Sequence, residues 1–160
     1  MSLQYKSTEA YLKPDVRYRS QLVTKLVNCM MHKGKKSVAE KLVYQAMEHL
    51  RTRFEDKEPL EILETAINNV KPLVEVKSRR VGGATYQVPI EVSRKRQLSL
   101  AIRWVINAVR NKKGKASYLK FADEISDAYK KQGVSITQRE NTHKMAEANK
   151  AFAHFGWSRY

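Results

Sequence analysis

Apolar residues recur every three to four positions along most of the chain, which is the period of helices with one buried face. In the segment 20–32, for example, Leu22, Leu26 and Met30 are spaced four residues apart. The same period predicts five further helices, at about 37–54, 59–70, 93–110, 118–129 and 137–155. The predicted fold class is therefore mostly α, with six helices.

Local signals mark the ends of these predicted helices. Ser37 stands three residues before Glu40, and Thr137 stands three residues before Glu140. Each pair is a capping-box pattern, which predicts a helix that begins at its first residue. Pro59 suits the first turn of the third helix, because a helix leaves the backbone N–H of that turn unpaired in any case.

One stretch, at about 73–92, has a period of two instead, with Val74 and Val76 alternating with charged residues. A second alternating run follows the adjacent glycines Gly82 and Gly83, so the stretch predicts a two-stranded β-hairpin. A lone hairpin is only marginally stable, so its base is expected to lean on the helices and its tip to be mobile. The whole pattern predicts one helical domain at 19–157 with a protruding hairpin, an extended arm at 1–18 and a short tail at 158–160.

The net charge of the chain indicates what kind of partner it binds. There are 31 Lys and Arg against 16 Asp and Glu in 160 residues, a net charge of +15. A compact domain with that excess repels itself unless an anion is bound, and nucleic acid is the commonest such partner. No apolar run approaches the roughly 20 residues of a membrane span, so a membrane is not a predicted partner. Cys29, the single cysteine, lies among apolar residues and is expected to be buried.

The sequence carries no complete catalytic or metal-binding pattern. The Gly34-Lys35-Lys36 run lacks the upstream glycine and strand of a phosphate-binding loop. Glu140 and His143 have the spacing of a di-metal ligand pair, but the second pair that such a site needs is missing. The sequence therefore predicts no catalytic residue, no metal and no cofactor. An enzyme acting on nucleic acid remains an alternative only if scattered polar residues converge in space.

Basic residues gather where predicted elements begin and end, and this places the candidate nucleic-acid contacts. Three basic residues opening the fourth helix face the positive end of its dipole, an arrangement that favours bound phosphates. A thin basic ribbon can enter irregular RNA or the major groove of DNA, so a helical DNA-binding regulator remains an alternative. The predicted contacts are Lys33, Lys35 and Lys36; Lys77, Arg79 and Arg80; Arg94, Lys95 and Arg96; and Lys112, Lys113 and Lys115.

Three segments together resemble one family. They are "LVTKLVNCMMHKGKKSVAEKLVYQAM", "VEVKSRRVGGATYQVP" and "ENTHKMAEANKAFAHF", in this order along the chain. They are similar to the small-ribosomal-subunit protein seven family of bacteria and organelles, and the similarity extends over about 15–157. Family members usually begin with several arginines, whereas this arm carries only Lys6 and Lys13 before Pro14.

The resemblance implies a primary binder of ribosomal RNA (rRNA). Its site would be the 3′ major domain of 16S-type rRNA, where it nucleates assembly of the subunit head near the exit site. The implied partners are exit-site transfer RNA, messenger RNA, and small-subunit proteins nine and eleven. The implied location is the ribosome, in a bacterial cytoplasm, a plastid or a mitochondrion. Matched by position, the residues near transfer and messenger RNA are Arg79, Arg80, Gly82, Gly83, Lys144 and Lys150.

Overall fold

The computed structural model describes residues 11–156 of the chain. Six α-helices and one antiparallel hairpin confirm the predicted mostly-α class. The last α-helix is followed by a short C-terminal 3₁₀ helix. The elements are α1 (Gln21–Met30), α2 (Lys36–Arg53), α3 (Pro59–Val70), β1 (Val74–Val81), β2 (Ala84–Glu91), α4 (Arg94–Asn111), α5 (Ser117–Tyr129), α6 (Val134–Ala148) and the 3₁₀ helix (Lys150–Phe155).

The apolar stripes of α1 to α5 meet in a shared core. Phe121 of α5 is fully buried, and α5 packs against α2, α3 and α4. Leu26, Met47 and Ile62 bring the stripes of α1, α2 and α3 to the same core. Complete burial of each such side chain contributes about 1.5–3 kcal/mol. Elements at the rim of this core, including the loops and the hairpin, carry the basic residues.

Both capping-box predictions were wrong. The helix α2 begins one residue before Ser37, at Lys36, after a tight turn through Gly34. The helix α6 begins at Val134, and one backbone N–H of its first turn is satisfied from α5. The Glu124 carboxylate accepts from the backbone N–H and the hydroxyl of Ser135, at 3.0 and 2.7 Å. Because the cap of α6 comes from α5, local sequence around Thr137 could not reveal it.

The hairpin was predicted at the right place. Gly82 and Gly83 form its two-residue turn with φ of +57° and +86°, a conformation that glycine adopts without strain. At its base, Glu75 and Val88 are buried, and α6 packs against both strands. The hairpin therefore leans on the helical domain as expected.

The last predicted helix is broken near its end. The helix α6 stops at Ala148, and a 3₁₀ helix, with three residues per turn, continues to Phe155. This period places Phe152 and Phe155 on the same side, where both rings pack on Tyr86 of β2 at centroid distances of 5.2 and 4.9 Å. The tighter helix is thus explained by the contact that it makes with the hairpin.

The first ten residues of the predicted arm, the last predicted domain residue 157 and the whole predicted tail, 158–160, lie outside the described residues. The described part of the arm turns back at residues 16–18, where the Asp15 carboxylate accepts two backbone N–H groups, each at 3.0 Å. The Tyr44 hydroxyl donates to the same carboxylate at 2.7 Å, which fastens the turn to α2.

Cys29 is exposed, so its predicted burial was wrong: it lies on the outer face of α1. No helix in 11–156 is long and apolar enough to cross a membrane.

Candidate nucleic-acid interface

The loop between α1 and α2 presents its predicted lysines to solvent. Lys33 and Gly34 both have positive φ, +52° and +75°, which turns the chain sharply and points the loop outward. The side chains of Lys33 and Lys35 are exposed and make no hydrogen bond or ion pair within 11–156. Lys36 is 3.9 Å from Glu40, one turn along α2, a solvent-exposed pair of small energy. Two of the three lysines are therefore available to a ligand.

A groove lies between this loop and the ends of α4 and α5. Its volume is about 520 Å³, and Lys33 and Lys35 form part of its rim. Arg110 of α4 and Lys120 of α5 complete the basic rim, and the sequence prediction included neither. Each lies within one or two helical turns of a predicted basic loop, so helical spacing was the signal that could have found them.

The second basic loop, between α4 and α5, is held by acidic partners. The Lys112 ammonium lies 2.6 Å from a carboxylate oxygen of Glu124, which is fully buried, and 3.8 Å from Asp127. Lys115 lies 3.0 Å from Asp123. Of the three predicted contacts here, the described residues leave only Lys113 without a partner.

The two ion pairs of Asp123, with Lys115 and Arg53, lower the pKa of its carboxyl. Burial alone would raise the pKa of its carboxyl. Hydrogen bonds from Lys115 and Arg53 overcome that effect and hold the pKa below its usual value. Two of the three lysines of this loop, Lys112 and Lys115, are therefore paired with carboxylates of the fold itself.

The two arginines of the hairpin point in opposite directions. Arg79 is paired across the strands with Tyr86, and its guanidinium donates to the carbonyls of Phe155 and Gly156, the latter at 2.9 Å. Arg80 is exposed on the other face and has no hydrogen-bond or ion-pair partner in the described chain. The predicted pair thus separates into a residue that holds the C-terminal segment and a residue that faces solvent.

At the start of α4, one carboxylate balances part of the charge. Glu75 of β1 is buried and lies 3.3 Å from Arg96 and 3.6 Å from Lys77. Arg94 is exposed and unpaired within the described residues, and Lys95 is exposed. The positive end of the α4 dipole therefore faces uncompensated charge at Arg94, which favours a bound anion.

The C-terminal helices bring the remaining predicted residues close to the hairpin. Lys144 and Lys150 are exposed and unpaired among residues 11–156. Lys150 opens the 3₁₀ helix that packs on β2, so this lysine and the hairpin form one body. The helix α6, which carries Lys144, also packs against both strands of the hairpin.

The Glu140 and His143 pair does not form a metal site. His143 Nε2 accepts the backbone N–H of Leu73 at 3.0 Å, so its lone pair is already used. Burial, and secondarily the charge of Arg139, lower the pKa of His143 and favour the neutral ring that this bond requires. Within 11–156 there is no group of three or more metal-ligating side chains.

Comparison with known proteins identifies the family of the chain. A sequence model of the family described as ribosomal protein S7p/S5e matches residues 2–150. The chain belongs to this family. It is 52% identical to the small ribosomal subunit protein uS7 of Rhodopirellula baltica over 152 residues, 94% of this chain and 97% of that protein. The uS7 of Pelagibacter ubique is 50% identical over 98% of this chain and 100% of its own length, and that of Thermosipho africanus 54% identical over 90% and 92%.

Membership in the S7p/S5e family makes the chain a structural, non-enzymatic protein of the small ribosomal subunit, as the resemblance implied. The two alternatives that the charge left open, a DNA-binding regulator and a nucleic-acid enzyme, are thereby set aside. The basic residues of this surface fall into two groups. The first group makes hydrogen bonds or ion pairs within the fold, and the second remains available to bind RNA. The predicted residues in the second group are Lys33, Lys35, Arg80, Arg94, Lys113, Lys144 and Lys150.

Proposed function

We propose that the chain is a primary rRNA-binding protein that binds the 3′ major domain of 16S-type rRNA and nucleates assembly of the subunit head. The observation that carries this proposal is that five of the predicted rRNA contacts are exposed and have no partner within 11–156: Lys33, Lys35, Arg80, Arg94 and Lys113. Because each can pair with a phosphate at no cost to an internal ion pair, they supply affinity that is largely independent of base sequence.

The remaining predicted contacts have a different part in this function. Lys36, Lys77, Lys95, Arg96 and Lys115 are exposed and lie beside unpaired cations, so they add to the local positive potential. Arg79 and Lys112 are engaged with the fold and position the surfaces that carry the available charges. We therefore assign direct phosphate contacts first to the unpaired set.

The test is binding of the protein to a transcript of the 3′ major domain at 50–200 mM salt. With about six to ten phosphate contacts, affinity should fall by roughly 10³–10⁵ over that range. A nearly flat salt dependence would contradict the proposal. A transcript of equal length from another rRNA domain is the control for specificity, and equal affinity for both would argue against a primary site.

We further propose that the hairpin tip and the last helices face the exit site, beside transfer RNA and the messenger path. The support is the packing of α6 and the 3₁₀ helix, which carry Lys144 and Lys150, against the hairpin that carries Arg80 and the Gly82-Gly83 turn. Small-subunit proteins nine and eleven are proposed as neighbours. Crosslinkers placed at positions 80 and 150 in assembled subunits should reach transfer or messenger RNA. Crosslinks to rRNA alone would overturn this placement.

A further inference from the structure

The groove between the α1–α2 loop and the ends of α4 and α5 has an unusual lining for a solvent-exposed site. Met30, Val38 and Leu42 provide an apolar floor, and Lys33, Lys35 and Lys120 stand at its rim. None of its described lining residues is Asp or Glu. The groove thus joins an apolar surface to positive charge with no opposing carboxylate.

Val38 is the exposed part of this floor. It lies in the first turn of α2 and is 60% exposed, whereas Met30 and Leu42 of the same floor are partly buried. Exposed apolar side chains are common singly, but an apolar patch rimmed by polar groups is typical of a binding site. A ligand that covered Val38 would gain apolar contact as well as charge pairing.

We propose that this groove receives one unpaired nucleotide of the RNA, with its base on Val38 and Met30 and its phosphates on Lys33, Lys35 and Lys120. The inference rests on the proposed rRNA binding and deepens it. The base itself is bound at this place, beyond the contacts with the phosphate chain. Specific RNA recognition is directed mostly at unpaired bases of this kind, which stack on apolar as well as aromatic side chains.

The position of Lys120 favours a nucleotide over an acidic peptide. Lys120 lines this groove and also a second cavity at the α4–α5 loop, whose lining includes Lys113 as well as Asp123 and Asp127, the partners of Lys115 and Lys112. The basic track therefore continues from the groove through Lys120 to Lys113, the lysine of that loop that has no partner within 11–156. A phosphate chain carries charge continuously along such a track. The volume of about 520 Å³ also lies within the roughly 300–1,000 Å³ that small-ligand sites occupy.

The chain offers a matched pair of variants to test this. Val38→Ser removes apolar surface from the groove, and Val134→Ser makes the same change in the first turn of α6, where Val134 is 56% exposed. Val38→Ser should weaken binding to the 3′ major domain transcript by about 5-fold, and Val134→Ser should leave it unchanged. The salt dependence of Val38→Ser should match that of the wild type, because no charge is lost. Thermal unfolding of both variants checks that the fold is retained.

A second measurement identifies the base. Transcripts that lack a single base at each unpaired position in turn should include one position that weakens wild-type binding about as much as Val38→Ser does. With that transcript, Val38→Ser should cause no further loss, because the two changes remove one contact. Equal affinity of Val38→Ser and Val134→Ser, or independent losses at every position, would overturn the inference while leaving rRNA binding intact. Failure of the wild-type protein to bind the transcript at all would instead overturn the proposed function, and the inference with it.

Discussion

Two loops of this protein differ in how they use three predicted lysines each, with Lys36, the first residue of α2, counted with the α1–α2 loop. In the loop between α1 and α2, Lys33 and Lys35 have no side-chain partner among residues 11–156, and Lys36 has only a distant one. In the loop between α4 and α5, Lys112 and Lys115 are paired with acidic residues of α5. Net charge counts the two loops as equal, yet only the first presents most of its charge to a ligand.

The difference follows from what each loop joins. Lys112 meets the buried Glu124, which in turn accepts from Ser135 at the start of α6. That single carboxylate ties together the end of α4, the middle of α5 and the start of α6. The α1–α2 loop has no such buried acid, because the apolar floor of the groove lies beneath it. Lys33 and Lys35 of the α1–α2 loop therefore remain available to pair with a ligand.

The largest expected effect comes from breaking the buried pair. Lys112→Met leaves Glu124 as a buried carboxylate without its cation, which costs about 3–5 kcal/mol of stability. Urea unfolding measures this, and Lys113→Met, one residue along the same loop, is the matched control with little expected change. Equal loss in both variants would mean that the pair does not hold the loop.

The next effect is on binding without any effect on the fold. Lys33→Ala with Lys35→Ala removes two available cations, so the slope of log affinity against log salt should become shallower by about 1.4–1.8. Stability should change by less than about 0.5 kcal/mol. Lys115→Ala, which removes an exposed but paired lysine, should change the slope less. A slope change as large for Lys115 would erase the distinction between the loops.

A smaller effect is expected within the hairpin, where Arg79 is bonded to the fold and its neighbour Arg80 faces solvent. Arg79→Ala should loosen the 3₁₀ helix by about 1 kcal/mol, because its carbonyls lose a charged donor. Faster amide hydrogen exchange at 152–156 would show this, together with unchanged exchange in the helical core. Arg80→Ala should weaken RNA binding and leave that exchange as in the wild type. Similar exchange in the two variants would contradict the assignment.

The smallest effect concerns His143, an ionisable side chain that the fold uses in its neutral form. Its pKa is lowered in the folded protein, so the unfolded chain binds a proton first as the pH falls below about 6.5. This contribution to stability is therefore complete above pH 6.5 and is lost as the pH falls through the folded pKa. Between pH 7 and pH 5.5, the melting temperature of the wild type should fall more than that of His143→Gln. A parallel fall in both would show that the titration of another group dominates.

The sequence predicted the elements well because their signals are local. The helical period, Pro59 and the paired glycines each act over a few residues, and the corresponding elements formed where expected. The cap of α6 and the break after Ala148 were not predictable in this way. Each depends on a contact from elsewhere in the chain: Glu124 in one case, and Tyr86 in the other.

The candidate site was predictable as a list of basic residues but not as a set of roles. Arg79 and Arg80 are adjacent and identical in type, and only strand register places one against the C-terminal segment. Lys112 and Lys113 differ in the same way, because only the first reaches a buried carboxylate. Sequence shows how much charge is present, whereas packing decides how much remains for a partner.

The bond between Arg79 and the carbonyl of Phe155 joins residues that are 76 positions apart. During synthesis, the ribosome must therefore add 76 residues after Arg79 before this hydrogen bond can form. The helices before the hairpin can begin to pack earlier, since their contacts close shorter loops. A chain interrupted before Phe155 would therefore support its hairpin only at the base, through α4 and α6, and would lack the tie between Arg79 and the C-terminal segment.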